Sequence, residues 1–186
     1  EIVREMESAG HETGTHSLYH ETVGDSLFEI PGTYPLLPEE VQPRIKLATD
    51  ILEDIVGHKV VSWRCPRLFG GTHVTNALEE LGYECDATYP MYFYNEQLFP
   101  YHPSQENWTE QGSLNLIEII QFADMGMESK DDYGRDKDQW PLYRTQSTEA
   151  FIPHIESFMS YLEKNDQSQK PIVLCFYFHP WEFWEM

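Results

Sequence analysis

Eleven residues, Gly10-His11-Glu12-Thr13-Gly14-Thr15-His16-Ser17-Leu18-Tyr19-His20, gather three histidines and two glycines among small hydroxyls. His16 and His20 are four apart, which brings both imidazoles to one face if the chain turns helically after Thr15. Two neutral imidazoles converging on a point are the start of a zinc-type site. Two surface histidines at this spacing are the plain alternative. Three further residues invite chemistry. Arg64, in Trp63-Arg64-Cys65-Pro66, is a proline-held cation that can orient a carboxylate bidentately, or make only a surface ion pair. His179 closes Phe176-Tyr177-Phe178-His179-Pro180-Trp181-Glu182, where aromatics restrict solvent around a group suited to proton transfer. The alternative is a core histidine satisfied by a backbone carbonyl. Asp86, in Gly82-Tyr83-Glu84-Cys85-Asp86-Ala87-Thr88, can fix the tautomer of His179 or cap a turn.

The elements that must position these residues alternate. Residues 1–9 read as a helix with Ile2, Val3 and Met6 on one side, ended by Gly10. A short strand follows at 11–15. Pro38 opens a long helix, tolerated because the first turn needs no amide donor. Its apolar stripe is Val41, Ile45, Leu47, Ile51, Leu52 and Ile55, and Gly57 stops it. A strand at 59–63 runs into Arg64. Thr72 or Thr75 caps a helix through Leu81, stopped by Gly82. Strands are expected at 83–88 and 114–120, separated by a loop over 89–112. A polar loop over 123–145 leads to a helix at 148–164 with Pro153 in its first turns. The continuous apolar run 171–178 reads as a strand buried on both faces. Alternating strands and helices imply parallel pairing with helices outside. A parallel sheet carries its functional residues past the carboxyl ends of its strands. His16, Arg64, Asp86 and His179 each fall at or just past the end of an expected strand.

The first segment resembles, nearly residue for residue, the second motif of the polysaccharide deacetylases (NodB-homology, carbohydrate esterase family four), in which the last two histidines hold the catalytic metal. Trp63-Arg64-Cys65-Pro66 is similar to the family's third motif, whose arginine positions the aspartate that acts as catalytic base. Arg67 stands here where an aromatic is usual. The run ending His179-Pro180-Trp181-Glu182 resembles the fifth motif of one subgroup, in which the histidine is the general acid; Glu182 is placed to hold either the nearby backbone or His179. Asp86 lies in a looser likeness to the fourth. The first motif, an Asp-Asp pair that supplies a metal ligand and the base, has no counterpart. Asp131-Asp132 has the wrong flanks and reads as solvent-facing.

The resemblance implies a distorted TIM-like (β/α) barrel, incomplete here for want of a first strand. It implies one catalytic domain over residues 1–186, cut at both ends. It implies metal-dependent removal of N-acetyl groups from an amino-sugar polymer or oligosaccharide. Zinc is the expected metal, with cobalt or nickel as alternatives. Pro66, Tyr89, Arg144 and Trp181 are the expected substrate-binding residues. Two other readings stand beside it: a non-catalytic carbohydrate- or metal-binding relative, and a hydrolase of another non-peptide C–N bond.

Composition sets the outer bounds. With 186 residues, 40% hydrophobic and 14% aromatic, the chain is long enough for one substantial core. Thirty-two acidic against 12 basic residues give a net charge of -20, which disfavours nucleic acid or an anionic membrane as partner. No run reaches bilayer-spanning length. Cys65, Cys85 and Cys175 are odd in number and lie in or beside apolar runs, as buried reduced thiols do. They lean towards a cytoplasmic, reducing compartment, with cell-envelope association left open. The aromatic loop, with Tyr89, Tyr92, Phe93, Tyr94, Tyr101 and Trp108, can stack on sugar rings or pack on itself.

Overall fold

The computed structural model describes residues 1–145, 147–166 and 170–183, without the side chains of residues 144, 145 and 183. The chain forms two compact units: Glu1–Tyr89 with Tyr101–Ile119, and Pro90–Pro100 with Ile120–Met186.

The first unit contains α1 (Ile2–Ser8), α2 (Pro38–Val56), β1 (Ser62–Trp63), α3 (Thr72–Leu81), β2 (Cys85–Asp86) and β3 (Ile117–Glu118). The helix limits follow the local chemistry. Pro38 occupies the first turn of α2, and the Glu40 carboxylate accepts the Leu37 N–H at 3.0 Å. Gly57 ends α2 at φ 82° and Gly82 ends α3 at φ 75°, a left-handed conformation that suits glycine. The helices turn one face inward at helical spacing. Val41 and Ile45 from α2, and Val74, Ala77 and Leu78 from α3, meet Val60, Trp63, Cys65, Tyr83 and Leu116 in one core. Each aliphatic side chain buried there contributes roughly 1.5–3 kcal/mol over its exposed state.

The strands are shorter than the apolar runs that predict them, and all pair in parallel. β1 pairs with β2 and β2 with β3, with Trp63 opposite Asp86 and Asp86 opposite Glu118. The expected strand at 11–15 is reduced to a single parallel bridge from Thr15 to Trp63. Thr15 N–H donates to the Ser62 carbonyl at 3.0 Å, and Arg64 N–H to the Thr15 carbonyl at 3.2 Å. Thr15, Trp63, Asp86 and Glu118 therefore stand level across the sheet. Three named strands and the Thr15 bridge make a short parallel sheet among the described residues, part of what the incomplete barrel implied by the resemblance would require.

The second unit contains α4 (Gln139–Thr145) and α5 (Thr148–Asn165). Ser147 Oγ accepts the Ala150 N–H at 3.3 Å and caps α5. The start of α5 agrees with the sequence expectation, whereas α4 replaces the end of an expected loop. Phe122 is the hub of the packing, with ring centroids 5.5 Å from Phe151, 5.1 Å from Phe158 and 5.1 Å from Phe176. The expected strand at 171–178 does not form. Phe122 N–H donates to the Cys175 carbonyl at 3.0 Å, but Val173 and Leu174 are 39% exposed and Phe178 is 55% exposed. An apolar run becomes a doubly buried strand only between pairing neighbours, and no strand is assigned on either side of it among the described residues.

Candidate active site

His16 follows directly on the Thr15 bridge and Arg64 directly on β1, while Asp86 ends β2 and Glu118 ends β3. The sheet thus delivers His16, Arg64 and Asp86 to consecutive strand ends, and backbone carbonyls hold the first two there. His16 Nδ1 lies 2.8 Å from the Arg64 carbonyl. A carbonyl only accepts, so Nδ1 carries the proton and the neutral ring presents its lone pair at Nε2, the arrangement usual in metal-binding histidines. Arg64 Nε donates to the Ala87 carbonyl at 2.8 Å.

His16 and His20 do approach each other, with centroids 5.0 Å apart and rings at 67°, but not through the expected helical turn. Residues 16–20 are non-helical, with Ser17 at φ 62° and His20 at φ 59°. For residues with a Cβ such angles are uncommon and need outside support. Arg67 supplies some of it: its Nη1 donates to the His20 carbonyl at 3.0 Å and lies 3.4 Å from Thr22 Oγ1. Arg67 itself sits at φ 60°. The residue that departs from the family pattern thus braces a predicted metal ligand, a role its sequence position does not signal.

Among the described residues, no group of three or more His, Cys, Asp or Glu is placed to hold a metal ion. The His16–His20 pair fits a metal as a partial donor set, two nitrogens of the four ligands of a tetrahedral zinc site.

Asp86 is fully buried. Its Oδ1 accepts from the Thr88 hydroxyl, which in turn accepts the Cys65 N–H at 2.9 Å. Burial raises the Asp86 carboxyl to about 7, against the opposing pull of Thr88, Glu118 and the Arg64 charge. Glu118, also fully buried, is pushed well above the carboxylate range by burial and by Asp86 beside it. Its Oε1 accepts the Thr88 N–H at 3.1 Å and the Tyr89 N–H at 2.7 Å. Sequence reading passes over Glu118. The signal available was a lone acid inside the apolar run Leu116-Ile117-Glu118-Ile119-Ile120.

Pro66 and Tyr89 are buried, Tyr89 edge-on to Tyr101 and Trp108 at 5.7 and 5.6 Å. This part of the aromatic loop packs on itself, with Tyr89 fully buried in it. Cys65 is buried and Cys85 and Cys175 are partly buried, all three as free thiols.

The second unit contains His179 and Trp181. His179 Nδ1 is 2.6 Å from Glu182 Oε1, which also accepts the His179 N–H at 3.1 Å. The Trp181 ring stacks on the imidazole at 5.0 Å and 21°. Glu182 therefore braces His179 directly through Nδ1. The side chain of Arg144 lies outside the described residues. Asp132 is exposed, as expected of the Asp131-Asp132 pair, and the part-exposed Asp131 is tied by Arg135 through Nη2 at 2.7 Å, a pairing that lowers its carboxyl to about 2. Asp124, His154 and Ser157 also cluster: His154 Nδ1 lies 2.7 Å from Asp124 Oδ2, and Ser157 Oγ donates to Asp124 Oδ1 at 2.6 Å. The serine bonds the acid and not the imidazole, so the group ties α5 to the Asp124 loop and is not a nucleophilic triad.

Parallel strands with polar side chains gathered past their carboxyl ends define an α/β protein with a strand-end site. Residues 1–85 match the family model of polysaccharide deacetylase. No curated protein matches the chain. Three solved structures share its fold. A Mycobacterium smegmatis protein described as a polysaccharide deacetylase is 18% identical with a TM-score of 0.53, covering 86% of this chain and 49% of its own. A Pseudomonas aeruginosa PAO1 protein of the same description is 16% identical with a TM-score of 0.50, covering 88% and 45%. Puue allantoinase is 15% identical with a TM-score of 0.50, covering 88% and 44%. The chain thus spans under half the length of each.

No helix among the described residues is long and apolar enough to cross a membrane.

Proposed function

We propose that the protein is a metal-dependent hydrolase that removes N-acetyl groups from an amino-sugar polymer or oligosaccharide and releases acetate. The observation that carries this reading is the placement of His16, Arg64 and Asp86 at consecutive parallel strand ends, within and just beyond the residues that match the deacetylase family. Likeness of fold is similar for the two deacetylases and the allantoinase, so fold does not choose the substrate; the family match favours the acetylated sugar.

His16 and His20 would hold a divalent metal, zinc first, with cobalt or nickel as alternatives. When bound, such an ion supplies Lewis-acid polarisation of the acetyl carbonyl and activation of water. His16 is oriented for this by the Arg64 carbonyl. Arg64 would orient the carboxylate base that the family places in its first motif, which is not among these 186 residues. His179, held by Glu182 through Nδ1, would donate a proton from Nε2 to the departing nitrogen. Trp181, 41% exposed, offers a face to a sugar ring. The reading places these groups in one barrel-type catalytic domain.

The test is acetate release from N-acetylated oligosaccharides by the metal-loaded, full-length protein. Release that is lost in H179A is the expected result. No release from any acetylated sugar, with metal bound, contradicts the reading.

A further inference from the structure

Glu118 lies outside the matched residues 1–85, and neither the motifs nor the proposed chemistry uses it. It is nevertheless among the most enclosed acids of the first unit, at 0% exposure, and its strand partner is another acid at 0% exposure, Asp86. Neighbouring strands lie about 4.8 Å apart, so two carboxyls in register face each other at close range. Two ionised carboxylates cannot share such a place without strong repulsion. Glu118 Oε1 is occupied by the Thr88 and Tyr89 amides, and Asp86 Oδ1 by the Thr88 hydroxyl. Asp86 Oδ2 and Glu118 Oε2 are buried and receive no N–H or hydroxyl donor from the described residues. A proton held between the two carboxyls satisfies both oxygens, with Glu118 as donor and Asp86 as acceptor.

We propose that Glu118 is a positioning residue of the strand-end site: it keeps one proton between itself and Asp86 and so fixes the extended segment 86–89, whose Ala87 carbonyl anchors the Arg64 guanidinium. The inference rests on the reading of Arg64 as a working group of the deacetylase site. The other ionisable groups facing the pair are Arg64 and the Cys65 and Cys85 thiols. Arg64 is the one cation among them, and it favours the charge on Asp86.

Replacing Glu118 with glutamine decides the matter, because an amide copies a neutral acid and cannot copy a carboxylate. In E118Q the side-chain NH2 donates to Asp86 and the carbonyl still accepts the Thr88 and Tyr89 amides. In the full-length, metal-loaded protein, E118Q is expected to keep kcat within about threefold, while E118A loses about tenfold or more, the fold-change of a buried hydrogen bond left unmade. Infrared difference spectra of wild type against E118Q should show the carbonyl stretch of a protonated carboxylic acid at about pH 8, where an ordinary carboxyl is ionised. E118Q as damaging as E118A, or no such band, overturns the proposal. If E118A does not fold, E118Q and the band still decide. If the wild-type protein releases no acetate, the activity reading fails, and the band separately upholds or overturns the shared proton.

Discussion

The two units hold their candidate functional side chains by different means. In the first, each strand end braces the next: His16 on the Arg64 carbonyl, Arg64 on the Ala87 carbonyl, and the segment after Asp86 on Glu118. In the second, His179 is held within one turn, by Glu182 three residues on and by the Trp181 ring. A site assembled from residues far apart in sequence shares its fate with the sheet that carries it. A one-turn arrangement can be altered with little cost elsewhere. Damage in the first unit should therefore reach metal binding and stability, whereas damage at His179 should stay in turnover.

The largest expected effect tests the second half of that contrast. His179→Ala should lower kcat for acetate release by roughly 10²–10⁴-fold, the usual contribution of a general acid, with metal content and melting temperature unchanged. Loss of metal in this variant would break the distinction. Next comes the pH dependence of stability in the first unit. Folding raises the Asp86 carboxyl from 3.8 to about 7 and raises Glu118 as well. For Asp86 the folded protein then binds more protons than the unfolded chain between about pH 4 and about pH 7, so its stabilising contribution falls as pH rises through that window, and Glu118 adds a fall of the same sign. The contribution is fully present below the unfolded value and lost above the folded one, with a limiting slope of about 1.4 kcal/mol per pH unit for each group. Urea titrations across the window, on wild type and E118Q, measure it; a stability that rises with pH and is insensitive to E118Q would remove the acid pair from the account. The smallest effect sharpens the role of Arg67. Arg67→Ala removes the donor to the His20 carbonyl and should weaken metal binding about 10–100-fold, as loss of an outer partner does, read by competition with a chelator. Unchanged affinity would leave Arg67 as a loop contact only.

How much was legible in the sequence divides along the same line. Pro38, Gly57 and Gly82 mark the ends of α2 and α3 because their backbone chemistry is local, and the structure keeps those limits. The strand ends at Thr15 and Trp63 were also readable, since alternating elements require parallel pairing, whereas β2 ends at Asp86, two residues short of the expected limit. The run 171–178 misled, because composition states that residues want burial and not whether neighbours exist to provide it. Helix α4, seven residues with Pro141 in its first turn, is too short to show a period. The approach of His16 to His20 was foreseen but its route was not: spacing suggested a helical turn, and the chain uses left-handed residues braced by Arg67. Glu118 was missed because a role that depends on the residue across the sheet is visible only once register is known.

The central claim is that His16 and His20 serve a metal-dependent chemistry. Elemental analysis of the full-length protein, beside the His16→Ala, His20→Ala double variant, tests it most directly. Near-stoichiometric zinc, cobalt or nickel in the wild type, lost in the folded variant, is the predicted result. No metal in either protein after reconstitution, or equal metal in both, would contradict it.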